Sequence, residues 1–109
     1  QLNTIMGYIE KTKSEEAKLL FGGSRVTTGE FKNGYFIEPT AFEITPKHTI
    51  FHEEIFGPVL SVLEFDDVED AIEIANSTVY GLSSGILPEN VGRPRFWSKR
   101  LWDILKWFL

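Results

Sequence analysis

A Gly57-Pro58 corner opens directly onto the apolar run Val59-Leu60-Ser61-Val62-Leu63-Glu64-Phe65, and this junction constrains the fold more than any other stretch. Proline lacks an N–H and fixes its own φ, so the corner marks a sharp break in the chain. The run behind it is rich in β-branched and apolar residues on both sides, as in a strand covered on both faces. Asp66-Asp67 then supplies an N-cap. Val68, Ala71, Ile72 and Ala75 form a helical stripe, with acidic residues in the first turn where the helix dipole favours them. A second strand is expected around Ser83, ending at Ile86. Strand, helix, strand over residues 59–86 is a βαβ unit, and it predicts a parallel sheet. Two parallel strands have bare edges and cannot cover both their faces alone, so the unit reads as part of a larger doubly wound domain.

Upstream, Leu2, Ile5, Met6 and Ile9 keep the spacing of one buried helical face. Ala17, Leu19 and Leu20 extend it, predicting a helix over residues 2–20 that Gly22-Gly23 closes as C-cap and turn. A phosphate cradle would open a helix instead of closing one. Asn33-Gly34 predicts a hairpin between Phe31 and Tyr35-Phe36-Ile37. Phe42-Glu43-Ile44 and Thr49-Ile50-Phe51 read as further short extended pieces.

Charge and composition narrow the function. The net charge of −5 divides unevenly: residues 1–86 carry six Lys/Arg against fourteen Asp/Glu, and residues 87–109 carry five against two. An acidic body argues against nucleic acid as a partner, since neutralising phosphates needs clustered Lys and Arg. There is no cysteine, hence no disulfide, no thiolate metal site and no thiol nucleophile. No apolar run approaches the ~20 residues that cross a bilayer. The chain starts at Gln1 without a charged-then-apolar leader, and it is expected to be a piece of something longer or a processed product.

The motif ahead of the best strand carries a resemblance. Glu54-Ile55-Phe56-Gly57-Pro58 is similar to the E-x-F-G-P signature of the aldehyde dehydrogenase superfamily. Gly34-Tyr35-Phe36-Ile37-Glu38-Pro39-Thr40 upstream resembles the same family, as do Ala71-Ile72-Glu73-Ile74-Ala75-Asn76 and Tyr80-Gly81-Leu82 downstream. The likeness covers residues 1–86. It implies an α/β fold: part of an aldehyde dehydrogenase catalytic domain, with the βαβ unit from Val59 to Ile86, an N-terminal helix and a C-terminal amphipathic helix. It implies oxidation of an aldehyde to a carboxylic acid in the full-length family, with hydride passing to NAD or NADP. A cysteine thiolate attacks the carbonyl there, and an activated water releases the acid. The signature glutamate accepts hydrogen bonds from the nicotinamide ribose hydroxyls, and the aromatic residue lies near the ring. These roles fall on Glu54 and Phe56.

Taken without the resemblance, Glu53-Glu54 is a solvated acidic loop and Phe56 a core residue. The long surrounding match favours descent from a cofactor-positioning site, with Glu53 left as surface charge. The remaining machinery has no counterpart in this chain. The isolated chain is therefore expected to be non-catalytic, and to bind NAD or NADP weakly if at all. Because the family forms oligomers, a copy of itself or an intact full-length subunit is the expected partner, and an interaction protein of that kind is the alternative function. Cytoplasm or mitochondrion is the expected location.

Three minor patterns carry no chemistry on this reading. His48 and His52 would suit two metal ligands on a helix, but Pro46 and the extended look of residues 49–51 argue against one, and no metal site is assigned. Ser83-Ser84-Gly85 resembles a nucleophile turn only loosely and reads as structural. Asn76 reads as ending the helix after Ala75, by side-chain or left-handed capping. Residues 87–109 form a separate basic tail, in which Trp97, Leu101, Ile104, Leu105 and Phe108 share one helical face. A reading-frame shift or splice difference near Leu87 would explain the change of character. A membrane-surface helix is the competing reading of the tail.

Overall fold

The computed structural model describes residues 1–81, 83 and 85. They fall into two compact units, one spanning Gln1–Glu64 and the other beginning at Phe65. In the first, helix α1 (Leu2–Ser14), strand β1 (Lys18–Phe21), a 3-10 turn (Gly29–Phe31), strand β2 (Thr40–Glu43), the single-turn helix α2 (Thr49–His52) and strand β3 (Val59–Val62) follow in order. The second unit contributes helix α3 (Val68–Asn76).

The sheet has the order β1-β2-β3, antiparallel between β1 and β2 and parallel between β2 and β3. The fold is α/β, as expected. The parallel partner seen for β3 is the strand before it, with Thr40 opposite Val59 and Glu43 opposite Val62. The return strand expected at 83–86 lies largely outside the described residues, and the amphipathic helix of the tail lies wholly outside them. Thr40 N–H donates to the Pro58 carbonyl (2.8 Å) and Ile44 N–H to that of Val62 (2.9 Å), so the parallel ladder reaches one residue before β3 and one residue past β2.

One face of this sheet is closed by α1. Ile5 and Ile9 cluster with Phe42, Ile44 and Ile50, and Val59, Leu63 and Ile55 pack around them. Phe42 of β2 and Val59 of β3 lie on this face, and Ile44 and Leu63 continue the same alternation one residue past each strand, as the two-residue period requires. On the other face Phe21 and Leu60 stay 55% and 59% exposed. The strand expected to be covered on both sides is thus only half covered within this unit.

The predicted first helix is too long. It stops at Ser14, where Glu16 takes a left-handed conformation (φ 63°). Ala17 N–H then bonds back to Thr12 O (3.3 Å) and Glu16 N–H to Lys13 O (3.1 Å). This pair of bonds is a Schellman cap made without glycine. Leu19 and Leu20 belong to β1, whose Lys18 faces Glu43 of β2 across a 2.7 Å ion pair. Gly22 and Gly23 turn the chain after a strand rather than ending a helix. Both have positive φ, and a Cβ on Gly22 would lie 2.1 Å from the Pro39 carbonyl oxygen.

The hairpin expected between Phe31 and Tyr35-Phe36-Ile37 does not form, and Asn33-Gly34 lies inside a longer loop that joins residues 25 and 37. Arg25 and Ile37 make one antiparallel bridge, with Val26 N–H on Phe36 O and Glu38 N–H on Ser24 O. Phe31 sits in the 3-10 turn, edge-on to Phe36 with centroids 5.1 Å apart, instead of forming a strand. Helix α3 starts as expected: Asp67 is the N-cap and its carboxylate accepts from Asp70 N–H (2.9 Å). It ends with Asn76, but Ser77 is the cap, in right-handed geometry, and its Oγ–H donates to Ile74 O (2.6 Å). Left-handed capping by Asn76 does not occur.

Candidate functional site

The segment 49–58 runs from α2 into β3 and carries the expected site residues. Its first four residues are helical, not extended, and a distant side chain accounts for this. The Glu15 carboxylate, just past the end of α1, accepts from Thr49 N–H (2.8 Å) and from the Thr49 hydroxyl. It thereby satisfies an otherwise orphan donor at the start of α2. Its pKa lies below the ordinary 4.5, first because of the Thr49 hydroxyl, then because of the Thr49 backbone N–H, with Lys11 and His48 helping by charge. His48 and His52 do share a helical turn, contrary to the extended reading, but each is engaged locally. His48 Nδ1 accepts from Thr45 N–H (2.9 Å), and His52 Nε2–H donates to the Pro46 carbonyl (2.8 Å). Among the described residues no group of three or more His, Cys, Asp or Glu could hold a metal ion.

Past α2 the chain is extended at Glu53 and then turns tightly beside α1, with Gly57 N–H on Ile55 O (2.9 Å) and Val59 N–H on Gly57 O (2.8 Å). Tyr8 O–H donates to Glu53 Oε2 (3.3 Å), so the residue read as plain surface charge has a partner. Ile55 packs into the core. Gln1 Nε2–H donates to the Phe56 carbonyl (2.9 Å). Gly57 has no positive φ; glycine is required there because a Cβ would lie 2.6 Å from Ile5 Cδ1 and 2.9 Å from Ile5 Cγ1. Pro58 then begins the sheet, its carbonyl accepting from Thr40 N–H.

With Ile55 turned inward, its neighbours face outward. Glu54 is exposed, and its carboxylate bonds to no other described residue. Phe56 is 73% exposed and is not a core residue. The backbone under both is held at Glu53, Ile55, Phe56 and Gly57, so a free acceptor and a bare ring project from an anchored segment. Beside them an open groove of about 350 Å³ is lined by Phe21, Pro39, Thr40, Gly57, Pro58, Val59 and Leu60. Neither Glu54 nor Phe56 lines it. The anchoring by Gln1, Tyr8 and Glu15 was not foreseen from the sequence, although their spacing with Ile5 (1, 5, 8, 15) is that of a helical stripe.

The aldehyde dehydrogenase family model matches residues 1–102, nearly the whole chain and well past Ile86. The chain belongs to the aldehyde dehydrogenase family. It is 46% identical over 94 residues to the alpha-ketoglutaric semialdehyde dehydrogenase of Bacillus subtilis, covering 85% of this chain and 19% of that one. Among solved structures it is similar to a Mycobacterium tuberculosis aldehyde dehydrogenase complexed with NAD+ (TM-score 0.84, 42% identity), over 92% of this chain and 20% of that one. It is also similar to the gamma-glutamyl-gamma-aminobutyraldehyde dehydrogenase of Burkholderia cenocepacia (TM-score 0.83, 46% identity), over 93% and 20%. The chain therefore spans about a fifth of the length of these aldehyde dehydrogenases. Among the described residues no helix is long and apolar enough to cross a membrane.

Proposed function

We infer that this chain corresponds to the nicotinamide-positioning part of an NAD(P)-dependent aldehyde dehydrogenase. The observation that carries this is the pair at the mouth of β3: an exposed, unengaged Glu54 carboxylate and an exposed Phe56 ring on a fixed backbone. Two carboxylate oxygens fit the vicinal hydroxyls of a ribose. An aromatic face beside them limits where a flat ring can lie. When bound, the coenzyme supplies the hydride acceptor. The chain's own contribution is orientation, which matters because hydride transfer requires reacting atoms ~3–3.5 Å apart. With no cysteine in its sequence the chain supplies no thiolate, so it contributes to aldehyde oxidation only alongside the rest of a full-length enzyme.

The test places residues 1–86 in the full-length Bacillus subtilis relative, in place of the matching segment. Glu54→Gln in this chimera is expected to raise KM for NAD+ and to slow hydride transfer, with KM for the aldehyde little changed. Unchanged cofactor kinetics, or a folded chimera without activity before the substitution, would overturn the reading.

A second reading is favoured by the half-covered sheet, with Phe21 and Leu60 exposed. The chain would then act as an interaction protein that binds an intact family subunit. Co-migration with a full-length relative on size exclusion is expected in that case, and separate elution at every concentration would exclude it.

A further inference from the structure

Four residues on one stripe running through α1 and its two flanking positions meet the site segment, the first two at residues 56 and 57, the others at 53 and 49. Gln1 bonds Phe56, Ile5 abuts Gly57, Tyr8 bonds Glu53, and Glu15, one residue beyond the helix, holds the first turn of α2 at Thr49. The spacing repeats every three to four residues, so a single rigid helix spans residues 49–57. Within the stripe Thr12, fully buried, bonds the Tyr8 carbonyl through its hydroxyl (2.8 Å). Glu54 and Phe56 themselves receive no side-chain contact from α1 among these bonds. Their direction is set entirely through the backbone on either side.

We propose that α1 is a clamp that sets the aim of Glu54 and Phe56, with Glu15 and Tyr8 as positioning residues for the nicotinamide half of the coenzyme. The proposal rests on the function inferred above. Glu15 is the decisive member because its one carboxylate takes both the N–H and the hydroxyl of Thr49. A charged acceptor holding two donors resists rotation of the turn more than a single neutral bond does. Tyr8 works at the other end of the turn, on Glu53, next to Glu54. Loss of either contact leaves the core of Ile9, Phe42 and Ile44 in place. Segment 49–57 would then fluctuate while α1 stays folded, since regions with few buried apolar contacts open first.

Two measurements test this. In the full 109-residue chain, amide hydrogen exchange is compared for wild type, Glu15→Ala, Thr49→Val and the double variant. Exchange at residues 50–56 is expected to quicken several-fold in both single variants, and no further in the double one, while Ile9 and Phe42 stay protected. Acceleration shared equally by the core, or none at segment 49–57, would overturn the clamp. In the chimera, Glu15→Ala and Tyr8→Phe are expected to raise KM for NAD+ several-fold, out of proportion to any fall in melting temperature and with aldehyde KM held, and Glu15→Gln to recover part of the loss. A KM for NAD+ that moves only in step with melting temperature would show a merely structural role. Glu54→Gln in the same chimera separates the two ideas. If it leaves the cofactor kinetics unchanged, the functional reading fails, whereas exchange rates still decide whether α1 holds the segment.

Discussion

Gly57→Ala is expected to destabilise the protein by crowding Ile5 rather than by straining the backbone. Gly57 does not have positive φ, so alanine is compatible with its conformation and would stabilise by about 0.4–1 kcal/mol through the unfolded chain. Against this, the new methyl group would sit 2.6 Å from Ile5 Cδ1, 2.9 Å from Cγ1 and 3.2 Å from Cγ2. Ile5 is only 6% exposed and β-branched within a helix, so it has one favourable χ1 and little room to retreat. Overpacking of this kind costs about 1–3 kcal/mol, so the net loss is about 1.3 kcal/mol at mid-range and at most about 2.6 kcal/mol. In urea that moves the unfolding midpoint of the 109-residue chain by about 1 M at ordinary m-values. Ile5→Val removes the atom nearest the clash and alone costs about 0.5–1.5 kcal/mol. The double variant should therefore lose less than the sum of the two, with a coupling of about 0.5 kcal/mol or more. Strict additivity, or a Gly57→Ala protein as stable as wild type, would refute the close-contact explanation.

Other outcomes follow from the same geometry. Gly22→Ala combines positive φ with a methyl group 2.1 Å from the Pro39 carbonyl oxygen, and should cost upwards of ~3 kcal/mol. Gly29→Ala, also at positive φ but with open space around it, should cost only about 1–2 kcal/mol; equal losses in urea titrations would contradict the steric argument. Asp67→Ala removes the α3 cap and should lower stability by about 0.5–2 kcal/mol, with reduced ellipticity at 222 nm. An effect no larger than that of Asp66→Ala would count against the cap. Because the Glu15 pKa is lowered on folding, the charged carboxylate stabilises the protein above the ordinary 4.5, and that contribution disappears as pH falls through the lowered value. The stability gap between wild type and Glu15→Gln should accordingly be open near neutrality and close in acid. A gap independent of pH would show that the Thr49 bonds do not depend on ionisation.

Much of the second unit was legible because its signals are local. Asp67 and Asp70 lie within one turn, and Val68, Ala71, Ile72 and Ala75 form an uninterrupted period, so no distant residue had to be known. The exposed Glu54 fits its reading as loop charge, but the inward Ile55 and the outward Phe56 beside it were not legible, because residues 53–57 belong to no strand whose alternation would set them. The acidic balance and the lack of cysteine are likewise settled by the residue list.

Short apolar runs were not legible, and the reason is physical. Leu19-Leu20 continues the helical period of α1 as well as it alternates in a strand, and the partner that decides is Glu43, twenty-five residues from Lys18. Ile50-Phe51 looks extended until a carboxylate thirty-four residues away bonds the preceding N–H and starts a helical turn. Gly57 reads as a glycine needed for its flexibility, but it is small because Ile5 occupies the space its side chain would take. Residue order alone therefore determined where caps, corners and alternating faces fall, since those depend on neighbours within a turn or two. Whether a four-residue apolar piece became helix or strand, and which helix aims the site, was decided only by groups that folding brings together across the chain.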